Sequence, residues 1–353
     1  MSDVFIVAEI GKNFIQAPEE ESVLEYLAKA KALVDAAVET GVDAVKFQTH
    51  EIEDEQLDSA VISPHFPAAE RYAWVKRNTR ITPLEDFWRP LKAHCDSRGI
   101  IFFSTPMSRA AAQKLEPLNV PMWKVGSGDV LDYVLLDYLA STGKPIIIST
   151  GMISLSELDQ TVSYLRSKQA PLSILYCVSE YPCPTEKFNL ATIEYLKERY
   201  PEMTIGFSDH SLGDQAALAA VKLGAAIIEK HFSFAREFWG ADHKVSMLPK
   251  EMKRLVFAIR NGEYQQVNHR PFYGEKAREL DGAQNQFRPY FHRSLVAGAD
   301  LPAGVILTRE LIYSLRPQSY LGGLSADQFE LALGRRLKRS LKKYETIKKE
   351  NLA

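Results

Sequence analysis

The chain has 353 residues, 46% of them hydrophobic and 25% charged, with 43 Lys+Arg against 45 Asp+Glu for a net charge of -2. These are ordinary globular values, which exclude a collagen-like, disordered or membrane-dominated chain, and no global field recruits nucleic acid or acidic lipid. Any anion must therefore be held by local donors. Cys95, Cys177 and Cys183 form no C-x-x-C pair and no disulfide framework, and no apolar run approaches the ~18 residues of a membrane span. A cytoplasmic protein is expected, since Met1-Ser2-Asp3 runs straight into an apolar strand without a leader pattern.

In chain order, short apolar runs predict strands at Val4–Ala8, Ala44–Phe47, Ile100–Ser104, Met122–Val125, Pro145–Ser149, Ser173–Cys177, Thr204–Phe207 and Ala225–Glu229. Helical periodicity lies between them, at Val23–Thr40, Leu84–Arg98, Ser108–Leu118, Ser156–Ser167, Ala191–Tyr200, Gly213–Leu223 and Pro249–Asn261. About eight such units predict an α/β protein built on a (β/α)8 TIM barrel. An open dinucleotide-binding sheet is disfavoured, because the first strand leads into Glu9-Ile10-Gly11-Lys12-Asn13 rather than a glycine-rich fingerprint. The stretch 50–83 is too long for an ordinary βα loop and is read as a lid. We divide the chain into a barrel over 1–262, a polar linker over 263–286 and a small module over 287–353. Such a module buries little core alone and is expected to pack on the barrel or on a partner chain.

In such barrels the reactive groups sit at the carboxyl ends of the strands. Those ends carry Glu9, Lys46 and Gln48, Ser104-Thr105, Lys124 with Gly126-Ser127-Gly128-Asp129, Ser149-Thr150-Gly151, Ser179 and Tyr181, Ser208-Asp209-His210, and Glu229-Lys230-His231. Any one of these is ordinarily a helix cap or rim polar group. Together, two lysines, several hydroxyls and flanking glycines make a donor set for a phosphate and a carboxylate. His210 and His231 end consecutive strands, a spacing that suits two ligands of one divalent metal beside Glu9 and Asp242.

The strings Ala8-Glu9-Ile10-Gly11, Val45-Lys46-Phe47-Gln48-Thr49, Phe103-Ser104-Thr105-Pro106, Trp123-Lys124-Val125-Gly126-Ser127-Gly128-Asp129, Ser149-Thr150-Gly151-Met152, Tyr181-Pro182, Gly206-Phe207-Ser208-Asp209-His210 and Glu229-Lys230-His231-Phe232 stand in the order seen in the sialic acid synthase family. The tail, through Arg293-Ser294-Leu295-Val296-Ala297, Leu315-Arg316-Pro317 and Gly334-Arg335-Arg336-Leu337, resembles that family's antifreeze-like SAF module. The resemblance implies condensation of phosphoenolpyruvate with the open-chain aldehyde of an N-acetylated amino sugar, giving a nine-carbon 2-keto-3-deoxy acid and phosphate. It implies that Lys46, Gln48, Thr105, Lys124, Ser127, Ser149, Ser179 and Ser208 hold phosphoenolpyruvate. Tyr181, Asp242 and Arg316 would contact the sugar, and Glu9 or Asp129 would move protons. His210 and His231 would bind the metal, Mn2+ first, with Mg2+ or Co2+ as alternatives. It also implies a homodimer in which Arg316 reaches the other subunit's barrel.

Two departures from the family pattern, Phe14 where a histidine is usual and Pro317-Gln318-Ser319-Tyr320 where glycine comes sooner, are expected beside the sugar pocket. Two alternatives are a related synthase acting on a sugar phosphate and a non-catalytic sugar-binding relative. Retention of Lys124, His210 and His231 argues against the second. The basic run Arg335–Lys343 lacks interleaved aromatics and is read as a solvated face rather than a nucleic-acid patch.

Overall fold

In the computed structural model, which describes residues 4–276 and 280–353, eight parallel strands close into a barrel in chain order. They are β1 (Phe5–Gly11), β2 (Ala44–Thr49), β3 (Ile101–Pro106), β4 (Trp123–Val125), β5 (Ile146–Ser149), β6 (Leu172–Cys177), β7 (Thr204–Asp209) and β8 (Ile227–His231). All eight expected strands are present. Their helices are α1 (Val23–Thr40), α3 (Arg89–Ser97), α4 (Arg109–Leu115), α5 (Tyr133–Ser141), α6 (Leu155–Ser167), α7 (Ala191–Arg199), α8 (Gln215–Lys222) and α9 (Pro249–Arg260), with α2 (Arg71–Ile81) between β2 and α3. Local chemistry sets several boundaries. Ser22 and Glu25 form a capping box at the start of α1, and Gly41, at φ 82, stops it in the left-handed region. Ser154 and Glu157 do the same at the start of α6.

The lumen shows how the sequence period becomes a site. Val7, Ala44, Phe103, Ile147, Leu175 and Ile227 pack together as an apolar plug across it. Alternate residues of a strand face the same side, so two residues further along stand Glu9, Lys46, Thr105, Ser149, Cys177 and Glu229. The plug thus carries a polar floor. Lys230 and Asp209 occupy the intervening, outward positions and neutralise one another at 2.7 Å.

The lid expected over 50–83 contains a helix, α2, that the sequence reading left as loop. Its buried face consists of Arg71, Trp74, Val75, Asn78 and Ile81, a helical spacing hidden by the polar character of two of its members. Expected helix Leu84–Arg98 is broken at its start, where Leu84–Trp88 is a π-turn leading into α3. The polar linker is a strap of short turns tied to the barrel, with Leu190 N donating to Phe272 O at 2.8 Å and Asn189 Nδ2 to Glu275 O at 2.9 Å.

The module, with β9 (Ser294–Ala297) antiparallel to β10 (Ile312–Leu315), sits over the barrel mouth. Arg293 is its anchor. Only 3% exposed, it donates from Nε and Nη2 to Asp129 Oδ1 at 3.0 and 2.9 Å. It faces Asp132 at 3.3 Å and caps the carbonyls of Glu55 and Ser314 at 3.2 and 3.1 Å. The basic run Arg335–Lys343 lies outside this contact as expected, with Arg339, Lys342 and Lys343 paired to Glu345, Asp300 and Glu53 while Leu337 and Leu341 are buried.

Removing one partner of a buried, multiply bonded charge leaves the other uncompensated, at a cost of about 3–5 kcal/mol. Arg293→Met should therefore lower stability by roughly that amount and open the strap to limited proteolysis before the barrel unfolds. Urea unfolding followed by far-UV circular dichroism, with timed proteolysis, checks both.

Candidate active site

A single pocket at the carboxyl ends of the strands is walled by every residue given a substrate, proton or metal role in the sequence reading: Glu9, Lys46, Gln48, Thr105, Lys124, Ser127, Asp129, Ser149, Ser179, Tyr181, Ser208, His210, His231, Asp242 and Arg316; of the other strand-end residues, Ser104, Thr150, Gly151, Asp209 and Lys230 do not line it. The floor is a charge ladder. Lys124 Nζ donates to Ser149 Oγ at 2.6 Å and stands 3.9 Å from Glu229. Glu229 accepts from Ser208 Oγ at 3.2 Å and lies 3.7 Å from Lys46. Lys46 pairs with Glu9 at 2.6 Å and donates to Thr105 Oγ1 at 3.1 Å. Glu9 accepts from Gln48 Nε2 at 2.8 Å, and the Gln48 carbonyl takes a hydrogen bond from Lys12.

Burial dominates the protonation of this ladder, because a dry lumen penalises every charged form. It lifts Glu9 from its ordinary 4.5 to about 7, with the Glu229 charge adding to the rise and Lys46 only partly opposing it. Burial would also raise Glu229, but Lys124 and Lys46 outweigh it and hold that carboxyl low. Burial draws Lys124 down, whereas in Lys46 the two carboxylates overcome it and raise the ammonium. The floor thus holds one carboxylate firmly ionised and one carboxyl poised near neutrality.

Beside the ladder, Gly151 lets backbone approach a hydroxyl cluster. A Cβ there would meet Ser179 Oγ at 2.3 Å and Ser127 Oγ at 2.9 Å, and Gly151 N donates to Ser127 Oγ at 3.0 Å. Such convergent N–H and O–H donors beside two ammonium groups suit phosphate oxygens.

The His210 and His231 rings lie 5.5 Å apart between centroids. His210 donates from Nδ1 to Val178 O at 2.9 Å, which turns Nε2 outward as a lone pair. His231 is 7% exposed, and its Nδ1 has no hydrogen-bond partner. An orphaned buried imidazole nitrogen next to a second oriented imidazole fits a divalent cation. Among the described residues no group of three or more His, Cys, Asp or Glu could hold an ion, so an ion on these two imidazoles would need further ligands from water or substrate.

Arg316, fully buried, reaches the pocket from the module of the same chain, 3.3 Å from Glu55 and 3.5 Å from Asp129. Asp129, offered with Glu9 as a proton carrier, is occupied by Arg293 and faces Arg316, so it seats the module. Asp242 pairs with His65 at 3.3 Å. Burial would raise it, but His231, His65 and Lys12 outweigh that and hold it well below the usual carboxylate range.

Both departures from the family pattern are corrected in position. Phe14 is a core ring, packed on Phe87 at 5.0 Å and Tyr26 at 6.1 Å, and Tyr320 is 64% exposed; neither lines the pocket. Sequence reasoning missed Lys12, His50, His65, Arg71, Trp74 and Phe291 as wall residues. All but Lys12 and Phe291 belong to the lid, whose helical period was the available signal.

The strand ends thus converge on a donor set of dianion size roofed by a small β module, the arrangement of a (β/α)8 enzyme whose site lies at the barrel mouth. Residues 33–270 match the NeuB family and residues 292–353 the SAF domain, and the chain belongs to the NeuB family, an enzyme of the nonulosonic acid synthase type. It is 30% identical to the human N-acetylneuraminate-9-phosphate synthase, over 87% of this chain and 82% of that one. It is 29% identical to the N,N'-diacetyllegionaminic acid synthase of Campylobacter jejuni, over 99% and 100%. The crystal structure of a spore coat polysaccharide biosynthesis protein from Bacillus subtilis superposes with TM-score 0.77 at 30% identity, covering 99% and 95%. No helix among the described residues is long and apolar enough to cross a membrane.

Because Glu9 is raised to about 7 from 4.5, its contribution to stability is fully present below pH 4.5 and is lost as pH rises through 7. Glu9→Gln removes that loss. Its stability relative to wild type should therefore increase between pH 5 and pH 8, by an amount on the order of 2–3 kcal/mol. Denaturant midpoints at the two pH values check this, and an offset that does not change with pH shows that Glu9 does not titrate there.

Proposed function

We propose that the chain condenses phosphoenolpyruvate with the open-chain aldehyde of an N-acetylated amino sugar, an N-acetylmannosamine or a related 2-acetamido or 2,4-diacetamido hexose. The observation that carries this reading is the convergence of Lys46, Lys124 and the hydroxyls at the ends of five strands on one lumen, next to His210 and His231. Lys124 with Ser149, and Lys46 with Thr105, take the phosphate and carboxylate oxygens. Ser127, Ser179 and Ser208 donate without adding charge, and Gln48 stays at the edge, fixed by Glu9 and Lys12. Tyr181, Asp242 and Arg316 border the space left for the sugar.

Carbon 3 of the enol attacks the aldehyde carbon, the new bond forms, and the aldehyde oxygen takes a proton to become a hydroxyl. Water adds at carbon 2, and the carbon 2–oxygen bond to phosphate breaks, leaving the 2-keto acid and inorganic phosphate. Glu9, half protonated near neutrality, is placed to give or accept the protons that these steps require. A divalent cation, Mn2+ first as the family resemblance implies, would be held by His210 and His231 and would supply Lewis-acid polarisation of the acceptor carbonyl when bound.

Phosphate release from phosphoenolpyruvate, measured with N-acetylmannosamine, its 6-phosphate and a 2,4-diacetamido hexose, tests the reaction. Turnover only with a pentose or tetrose phosphate would move the assignment to another phosphoenolpyruvate-condensing synthase. His210→Ala and His231→Ala should each lose most bound Mn2+ in equilibrium dialysis and most activity, since one imidazole cannot replace two. Retention of metal in both would reject the pairing.

For assembly, we infer a homodimer whose two copies exchange modules, since the seat formed by Asp129, Asp132 and Glu55 accepts Arg293 and Arg316 whichever chain supplies them. Mixing Lys124→Met with Arg316→Ala chains should then restore activity in heterodimers, because one pocket regains both groups. Verified subunit exchange without regained activity would assign each arginine to its own barrel.

A further inference from the structure

Alternate residues of β2 face the lumen, so Lys46 and Gln48 are followed on the same side by His50, just past the end of the strand. The proposed reaction uses the first two and leaves the third without a role. His50 is 4% exposed and borders the pocket. Four residues of extended chain place it about 13 Å beyond Lys46. That is out of reach of a three-carbon phosphoester seated on Lys46, and at the height of the acceptor. Its Nδ1 lies 2.8 and 2.9 Å from the two carboxylate oxygens of Glu55. Glu55 is inaccessible and takes no part in the pocket wall, so it holds the ring from behind.

That carboxylate fixes the tautomer. Burial would raise Glu55, but His50, Arg316 and Arg293 outweigh it and bring it down to about 2, so at neutral pH it can only accept. The proton between them therefore sits on His50 Nδ1. Burial draws the His50 ring down, helped by Lys12 and Arg316 and opposed by Glu55, which keeps it neutral. Nε2 is then a lone pair, buried and without a hydrogen-bond partner among the described residues. Two donors of the same wall are engaged elsewhere, for Lys12 donates to Gln48 and Gln48 Nε2 donates to Glu9. A buried acceptor left in this way carries a desolvation cost that a donor on a ligand would remove. Glu55 is set in turn by the module. Arg316 Nη2 stands 3.3 Å from its carboxylate, Arg316 N donates to Glu55 O at 3.1 Å, and Leu57 N donates to Arg316 O at 2.9 Å. The seating of the module thus decides where Glu55 stands and which way His50 faces.

We propose that His50 touches the acceptor, its Nε2 taking a hydrogen bond from a hydroxyl of the sugar chain beyond the aldehyde, and that Glu55, held by Arg316, is the positioning residue that keeps this lone pair in place. This rests on the reading of the pocket as a phosphoenolpyruvate–sugar condensation site and adds a residue to it. No proton is transferred, since ring and hydroxyl both stay neutral. A chain lacking the hydroxyl is rejected because Nε2 would remain unpaired. His50 is then a specificity-determining residue, and docking of the module reaches it through one carboxylate.

The probes are the alditols of N-acetylmannosamine and of a 2,4-diacetamido hexose, which lack the aldehyde and cannot condense. They are titrated into the full-length protein, labelled with nitrogen-15 at histidine and loaded with phosphoenolpyruvate and Mg2+. The His50 signal, identified by its loss in His50→Gln, should show a proton on Nδ1 and none on Nε2, and Nε2 should shift as an alditol binds. Glu55→Gln should give a mixture of tautomers. In turnover, His50→Leu should lower kcat/KM for the acceptor at least about tenfold, while KM for phosphoenolpyruvate stays within about twofold. His50→Gln, which keeps an accepting oxygen, should recover part of that loss. A proton on Nε2 in the wild type, an Nε2 signal unmoved when calorimetry shows an alditol bound, or a His50→Leu variant that loses both substrates equally overturns the proposal. Should His50→Leu fail to fold, the wild-type spectrum decides alone. No binding of either alditol rejects the condensation reading and this role with it, whereas binding with an unmoved Nε2 rejects only the role of His50.

Discussion

The structure depends on a buried layer of opposite charges held two residues above an apolar plug. Lys46 and Lys124 stand among Glu9 and Glu229 inside the barrel, each nearly inaccessible to water. Such charges persist in a dry lumen only because each ammonium faces at least one carboxylate and each remaining donor finds a hydroxyl. The strand period places them there, and the plug of Val7, Ala44, Phe103, Ile147, Leu175 and Ile227 keeps water from entering below. Shifting any strand by one residue would turn its polar member outward and expose the rest of the layer to an unpaired charge.

That electrostatic arrangement divides labour between two chemically similar carboxyls. Glu229 is fixed as an anion by two lysines, while Glu9 is shared between Lys46 and burial and titrates near neutrality. A group that must exchange protons and a group that must stay charged are thereby built from the same residue type by environment alone. The two histidines beside them follow the same logic, for the carbonyl of Val178 orients one imidazole, and Nδ1 of the other has no hydrogen-bond partner among the described residues.

The module is the second half of the site. Its anchor, Arg293, brings Arg316 over the mouth, and the lid brings Arg71 to the same ring of Phe291. Phe291 itself lies against the backbone of Gly128, where a Cβ would sit 2.7 Å from the ring, so the roof and the phosphate-side loop fit only with glycine at that position. Barrel and roof are thus joined through the packing of Phe291 and the buried contacts of Arg293 and Arg316 with Asp129, Asp132 and Glu55.

By itself the sequence determined the eight-stranded barrel and the polar floor apart from Cys177 and Lys12, because strand alternation and strand-end position are properties of local spacing. Glu9, Lys46, Lys124, His210 and His231 could be placed from the chain alone for that reason. Tertiary structure alone decided the roof. Phe14, adjacent in sequence to the floor motif, turned into the core against Phe87, whereas Arg71 and His65, far from any strand end, turned into the pocket. The helical face of α2 was masked by Arg71 and Asn78, polar residues whose burial makes sense only against Gln56, Phe291 and the carbonyl of Trp74. That the module covers the barrel mouth likewise follows from contacts between segments far apart in sequence. Spacing reports which side of an element a residue occupies, but the partner on that side is supplied by packing.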